Sequence, residues 1–222
     1  MEVKDITWYG HASFKLLDKT TGNIIYYIDP FNFPTTISLE PADLIFVTHA
    51  HADHLSPTDI KKILKDDTVI ILPADSIDKL AISNRKVAVL PNQEYNVRDV
   101  KFQTIPAYNN KLQRIQAHPK ENNWVGYIFS VNGGKVYHAG DTDFIDEMKT
   151  LADLYVDIAM LPIGGTYTMD VEEAIEAANA IGAKITIPMH YRRLLGGAYK
   201  EAEEKFKKGV TKSEVIILEE MS

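Results

Sequence analysis

Cysteine is missing from all 222 residues. That absence excludes a disulfide scaffold, a thiolate metal site and a cysteine nucleophile, so any metal chemistry must be built from imidazole and carboxylate. Long apolar runs are missing as well: none approaches the ~20 residues that a membrane-spanning helix needs. Basic residues are in deficit, with 24 Lys and Arg against 31 Asp and Glu and a net charge of −7. A protein held to nucleic acid by a broad basic face has the opposite balance. The first residues, Met1-Glu2-Val3-Lys4-Asp5, show no basic segment leading into an apolar stretch, so no secretory signal is expected and the cytoplasm is the expected compartment. The remaining composition, 45% hydrophobic and 25% charged, is ordinary for a globular protein with a sizeable core. No low-complexity segment or linker interrupts the chain, and we read residues 1–222 as one domain.

One short stretch carries most of the information: His49-Ala50-His51-Ala52-Asp53-His54. All four polar side chains are N or O donors suited to a divalent metal. The run before them, residues 43–48, reads as a buried strand. Ser56-Pro57-Thr58-Asp59 behind them reads as a helix start, with Ser56 as N-cap and Pro57 at the first helical position. A strand that ends in a ligand cluster and turns into a helix is a metal-site arrangement. His49 and His51, two residues apart, can converge on one ion from an extended or looped backbone. Asp53 and His54 are adjacent, point elsewhere and suit a second ion.

Two ions need further ligands, ideally including a carboxylate that bridges them. Tyr137-His138-Ala139-Gly140-Asp141-Thr142-Asp143 follows a strand directly, and Gly140 permits a sharp turn that aims Asp141 at the site. His190 also closes a strand, in Ile187-Pro188-Met189-His190-Tyr191. Sites in layered α/β folds gather at such strand ends. His118 and His138 both offer a third imidazole for the first ion.

Hydrophobic periodicity predicts strands at 6–9, 13–17, 23–28, 43–48, 68–72, 87–90, 100–105, 124–131, 135–138, 156–161, 184–189 and 214–218. It predicts helices at 57–64, 76–82, 144–151, 171–180 and 199–207, the fourth opened by Asp170 as N-cap with Glu173 in a capping-box position. Thr21-Gly22 and Asn132-Gly133-Gly134 mark turns, the second a hairpin. Two strand-rich runs, each followed by mixed strand and helix, suggest two facing sheets with helices outside, a four-layer αββα sandwich of the α/β class. Periodicity alone does not separate that from another α/β layering.

The order H-x-H-x-D-H, a lone His, Gly-Asp-Thr and a late strand-terminal His resembles the metallo-β-lactamase-fold hydrolases over nearly the whole chain, from about Asp29 to His190. The resemblance implies the αββα sandwich. It also implies a first metal held by His49, His51 and His118, a second held by Asp53, His54 and His190, and Asp141 bridging the two. Asp29, which ends an early strand, matches the acidic residue that supports the metal loop from behind, and His138 is read as a supporting residue of the same kind. Trp8-Tyr9-Gly10-His11-Ala12-Ser13-Phe14 and Leu161-Pro162-Ile163-Gly164-Gly165-Thr166 resemble the branch that contains ascorbate-6-phosphate lactonase, where a histidine at the position of His11 lies close to the metals. The large insertions of nucleic-acid-processing branches are absent. The flavo-diiron pattern H-x-E-x-D does not fit, because position 51 is His.

The expected activity is therefore dinuclear, metal-dependent hydrolysis of a small ester, lactone or phosphoester. Two cations roughly 3.5–4 Å apart share a hydroxide that attacks carbon or phosphorus. Zinc is the first expectation, with manganese close behind and iron as a third option. Asp53 and Asp141 act as ligands that also orient the nucleophile, and His11 and His138 are the candidate proton donors. Arg192, beside Arg193 and just after a ligand, suits phosphate or carboxylate, and Tyr108 is placed to line the pocket. The expected partner is a small molecule, with an anionic one as an option, rather than nucleic acid or membrane, and a homo-oligomer is left open. A phosphodiesterase or nuclease on the same metals, a metal-binding or sensory protein without turnover, and a redox diiron enzyme are the alternatives.

Overall fold

Alternation with period two sorts the strand residues of this chain into two separate cores. The computed structural model describes residues 2–20 and 22–221. In β3 (Ile24–Ile28), β4 (Leu44–Phe46) and β5 (Val69–Pro73), Tyr26, Ile28, Leu44, Phe46, Val69 and Ile71 face one core. The residues between them, Tyr27, Ile45, Ile70 and Leu72, face another. Successive side chains of a strand point to opposite faces, so a sheet buried on both sides needs apolar residues at every position. That is why 43–48 and 68–72 read as unbroken apolar runs.

The first sheet has the order β1-β2-β3-β4-β5-β6, with β1 (Ile6–Trp8), β2 (Phe14–Asp18) and β6 (Lys86–Val89) completing it. Its first three strands are antiparallel to one another, and β3 to β6 are parallel. The second sheet runs in reverse chain order: β13 (Glu214–Val215), β12 (Ile185–Met189), β11 (Ile158–Pro162), β10 (Gly134–His138), β9 (Val125–Val131), β8 (Val100–Pro106) and β7 (Glu94–Val97). Here β7 to β10 form an antiparallel meander, and β10 to β13 are parallel. Aromatic side chains join the two sheets across the middle: Phe46 lies 5.0 Å from Phe102 and 4.7 Å from Phe129, both edge-on.

Helices cover the outer faces. α1 (Pro57–Ile63) packs Ile60 and Ile63 on the first sheet, and its N-cap Ser56 accepts from the Asp59 amide. On the second sheet lie α2 (Asp146–Lys149), α3 (Val171–Ile181) and α5 (Tyr199–Gly209), with the one-turn α4 (Arg192–Leu195) after β12. Asp170 caps α3 through the Glu173 amide, and Gly182 closes it at φ +63. Glu173 does not reach back as a capping box requires; its carboxylate is taken by Arg114, Lys111 and the Phe144 amide. The four-layer sandwich expected from the sequence is the fold observed.

Several local expectations are corrected. Residues 76–82 are not an α-helix: a 3-10 turn at Ala74–Ser76 leads into further turns held by i to i+3 bonds of 3.3 Å. α1 is equally short, but its Ser56 caps the first turn; here the Ser76 hydroxyl donates to Asp75 at 3.1 Å, and Trp124 takes the other Asp75 oxygen. The 144–151 helix begins later and passes into 3-10 geometry at Thr150–Leu154. The last strand stops at Val215. β7 went unpredicted because its hairpin turn uses Arg98 and Asp99, at φ +52 and +64, rather than the Asn-Gly type of signal. The Asn132-Gly133 turn does have that signal, with φ of +49 and +72. Thr21 of the expected Thr21-Gly22 turn lies outside the described residues. No helix among the described residues is long and apolar enough to cross a membrane.

Phe46 is fully buried and touches aromatic rings from both sheets. Phe46→Ala is expected to cost about 3–5 kcal/mol, read as a lower urea midpoint with an unchanged slope.

Candidate metal centre

Every candidate ligand stands where a strand or turn ends at the same edge of the sandwich. His49 to His54 follow β4 in a tight turn closed by the His54 and Leu55 amides on the His51 carbonyl. Asp141 follows β10, and His190 follows β12. His118 lies in the long connection between β8 and β9, and His11 in the turn between β1 and β2. Three of these strand-end side chains sit on left-handed backbone: His11 at φ +50, Asp29 at +46 and His190 at +57. Non-glycine residues rarely adopt that conformation, and it is held where the surroundings over-determine it. Gly140 at φ +69 meets a different demand: a Cβ there would lie 3.1 Å from Thr48 Cβ and 3.2 Å from the Val125 carbonyl, so the Asp141 turn could not approach the metal loop.

The buried Asp141 carboxylate is the centre of the arrangement. Its Oδ2 lies 3.1 Å from His190 Nε2, 3.3 Å from His54 Nε2, 3.4 Å from His118 Nε2 and 3.9 Å from His49 Nε2. His49 Nε2 faces His51 Nδ1 at 3.1 Å. The donor atoms fall into three overlapping groups: His49, His51 and His118; His49, His54 and Asp141; and His11, Asp53, His54 and His190. Two groups therefore flank the carboxylate, and His11 joins the second through Asp53 Oδ2, 3.0 Å from its Nε2.

His54 Nε2, His118 Nε2, both ring nitrogens of His190 and Asp141 Oδ1 are buried with no hydrogen-bond partner. Such atoms are costly to leave unsatisfied, and the Nε2 atoms of His54, His118 and His190 converge on Asp141 Oδ2. A cation bonded to them removes the cost, and an all-imidazole and carboxylate set suits zinc, manganese or iron. The residues present fit divalent metal.

Electrostatics point the same way. Burial pushes His49 well below its usual imidazole range, with His54 adding to it, and burial with His118 lowers His51. Neutral imidazole is the form that binds metal. Burial likewise brings His11 down to about 4. For Asp141, burial would raise the carboxyl, but His190 and His54 overcome it and hold the group well below the carboxylate range. His54 is drawn the other way: burial opposes its charge, yet Asp141 and Asp29 raise it well above its usual value.

Asp29 anchors the loop from behind. Its Oδ1 accepts the Thr48 amide at 2.8 Å, and its Oδ2 accepts Thr48 Oγ1 at 2.7 Å and faces His54 Nδ1 at 2.8 Å. His138 is buried beside Phe14, its Nε2 2.9 Å from the Ala12 carbonyl and its Nδ1 accepting the Gly140 amide. Both its nitrogens are therefore engaged with backbone, outside the three donor groups. Arg192 lies over the Trp8 ring at 4.8 Å and bonds Glu203 and the Leu218 carbonyl. Tyr108 hydroxyl meets Glu147 and Lys120.

A cavity of about 330 Å³ opens over the centre, lined by His51, Asp53, His118, Asp141 and His190 together with Gln116, Ala117 and Tyr167. Sequence reasoning missed Gln116, Tyr167 and Trp124. The Trp124 ring lies 4.9 Å from those of His49 and His51 and 5.6 Å from that of His118. Tyr167 lies two residues beyond the Gly164-Gly165 pair.

A family model described as the β-lactamase superfamily domain matches residues 5–190. A protein of Methanoculleus marisnigri named as a UPF0173 metal-dependent hydrolase is 35% identical over 220 residues, covering 95% of this chain and 90% of its own. One of the same name from Thermoplasma acidophilum is 36% identical over 202 residues, covering 86% and 84%. A crystal structure from Parabacteroides distasonis superposes with a TM-score of 0.81 at 33% identity, covering 98% of this chain and 93% of that one. The chain belongs to the β-lactamase superfamily and, within it, to the UPF0173 metal-dependent hydrolases. A metallo hydrolase from Ignicoccus hospitalis shares the fold at 22% identity, with a TM-score of 0.77 and coverage of 98% and 95%.

Asp141→Ala removes the anion that four imidazoles face. The variant is expected to lose most of its bound metal, measured by elemental analysis after chelator-free purification; full stoichiometry in that variant would refute a bridging role.

Proposed function

We propose that this protein is a dinuclear metal-dependent hydrolase acting on a small ester or lactone. The reading is carried by one observation: buried imidazole nitrogens without partners converge on a single carboxylate from two sides. His49, His51 and His118 would hold one cation, and Asp53, His54 and His190 the other, with Asp141 between them. Bound there, a divalent pair supplies a water acidic enough to give hydroxide at neutral pH and a Lewis acid for the developing oxyanion.

The chain's own residues supply the rest. Asp53, with 41% of its side chain exposed, opens to the cavity and would orient the attacking group. His11 Nε2 lies 3.0 Å from Asp53 Oδ2 and positions that carboxylate; burial keeps the ring neutral, so it is not the acid that protonates the departing oxygen. Trp124 closes the side of the first cation away from solvent and keeps the three rings in register.

Choice of bond follows from the lining beyond the ligands. Gln116, Ala117 and Tyr167 are uncharged. They suit a substrate whose non-reacting part is neutral, with Tyr167 giving a flat or apolar group a face to lie on and Gln116 an amide to bond. Phosphate clamps are usually built from Arg or Lys, so esters and lactones rank above phosphoesters. Zinc ranks first and manganese second as the native pair.

Protein purified without chelator is expected to carry about two ions per chain. With zinc or manganese it should hydrolyse uncharged lactones or aryl esters at least tenfold faster, by kcat/KM, than aryl phosphodiesters. Chelation should abolish turnover and metal should restore it. Faster phosphodiester turnover would overturn the substrate class, and metal-replete protein inert toward both classes would overturn the hydrolase reading. Tyr167→Ala should raise KM about tenfold, a loss of about 1.4 kcal/mol in binding, with kcat little changed.

A further inference from the structure

His118 is the one first-group histidine contributed by a long loop rather than by the metal motif. We infer that Asp143, Asn109 and Arg114 form a hydrogen-bond relay that sets the tautomer of His118 and so presents its Nε2 lone pair to the metal. The inference rests on the reading of His118 as a ligand.

The relay starts from a buried charge. Asp143 is fully buried, and its carboxylate accepts the Asn110 amide at 2.8 Å, the Lys111 amide at 2.9 Å, Asn109 Nδ2 at 2.9 Å and the Arg114 guanidinium. Arg114, itself 7% exposed, is shared with Glu173 of α3 and reaches the Gly165 carbonyl at 3.3 Å. An ionised carboxylate only accepts hydrogen bonds. Asn109 must therefore turn its NH₂ toward Asp143, which leaves its Oδ1 facing the other way, 2.8 Å from His118 Nδ1. An amide oxygen only accepts, so His118 carries its proton on Nδ1 and its Nε2 is left as a lone pair. That Nε2 is the buried, unpartnered atom 3.4 Å from Asp141 Oδ2.

Each step has one polarity, and the direction is imposed from Asp143. Because Asp143 stands two residues after Asp141, one turn of chain both supplies the shared carboxylate and orients the histidine opposite it. These are positioning residues, none of which touches the reacting atoms. Partners of this kind typically tune metal affinity by about 10–100-fold.

The test combines nitrogen-15 histidine spectra with zinc affinity by chelator competition, both on the full chain. In metal-free wild-type protein, at a pH where the ring is neutral, His118 should be protonated at Nδ1; protonation at Nε2 overturns the relay without any variant. Asn109→Leu, nearly isosteric but without polarity, should let the metal-free ring populate the Nε2-protonated tautomer and weaken one of the zinc sites by about 10–100-fold. Asp143→Asn should act in the same direction, because its amide no longer dictates which way Asn109 faces. Wild-type affinity in both variants overturns the relay alone, provided His118→Ala loses an ion. Unchanged stoichiometry in His118→Ala overturns the ligand assignment beneath it.

Discussion

A negative charge in the interior of a protein has to be answered, and the active edge of this molecule is organised around one that is answered many times. Asp141 is 3% exposed, and within 4 Å it meets nitrogens from the metal loop, from the β8–β9 connection and from the end of β12. No pair of strands alone could supply that surround. It takes two sheets whose strand ends converge, a glycine that lets the Asp141 turn press against Thr48, and left-handed backbone at His11, Asp29 and His190. The sandwich is the scaffold that holds these local costs together, and the aromatic layer around Phe46 keeps its two halves in fixed relation.

Much of this was legible in the chain because the informative signals are local. H-x-H-x-D-H places four donors within six residues, and the unbroken apolar runs of β4 and β5 announce a sheet buried on both faces. Asp141 and His190 could be found because each follows a strand directly, where a side chain has one natural place to go. What could not be read depends on distance in the fold. Trp124 stands just before β9 and reads as a strand aromatic in sequence until the fold sets it against three histidines. Arg192 shows the converse: adjacency to His190 in sequence carries it onto Trp8 and Glu203, because α4 begins between them. The 76–82 segment has helical spacing, but Ser76 donates its hydroxyl to Asp75, which Trp124 also engages.

Glu173 shows how a local motif can be overruled. Its spacing from Asp170 is that of a capping box, and half of the box forms. The other half is given up because Arg114 and Lys111 bring a stronger, charged claim on the same carboxylate. An element that looked like a helix signal is thereby also a tie between α3 and the loop that carries His118. Helix caps, loop anchoring and ligand orientation share the same few side chains on this side of the molecule.

The spread of the ligands along the chain has a consequence for assembly. From His11 to His190 the donors are drawn from both sheets, and the last is supplied by the end of β12, close to the end of the polypeptide. Small zinc modules gather ligands a few residues apart and can be folded by the ion itself. Here only the short motif is preorganised in sequence, and the other donors meet it through non-local pairing, the slowest kind of contact to form. An ion arriving early would find an incomplete shell, so a metal held by these side chains would enter a finished sandwich instead of directing its construction.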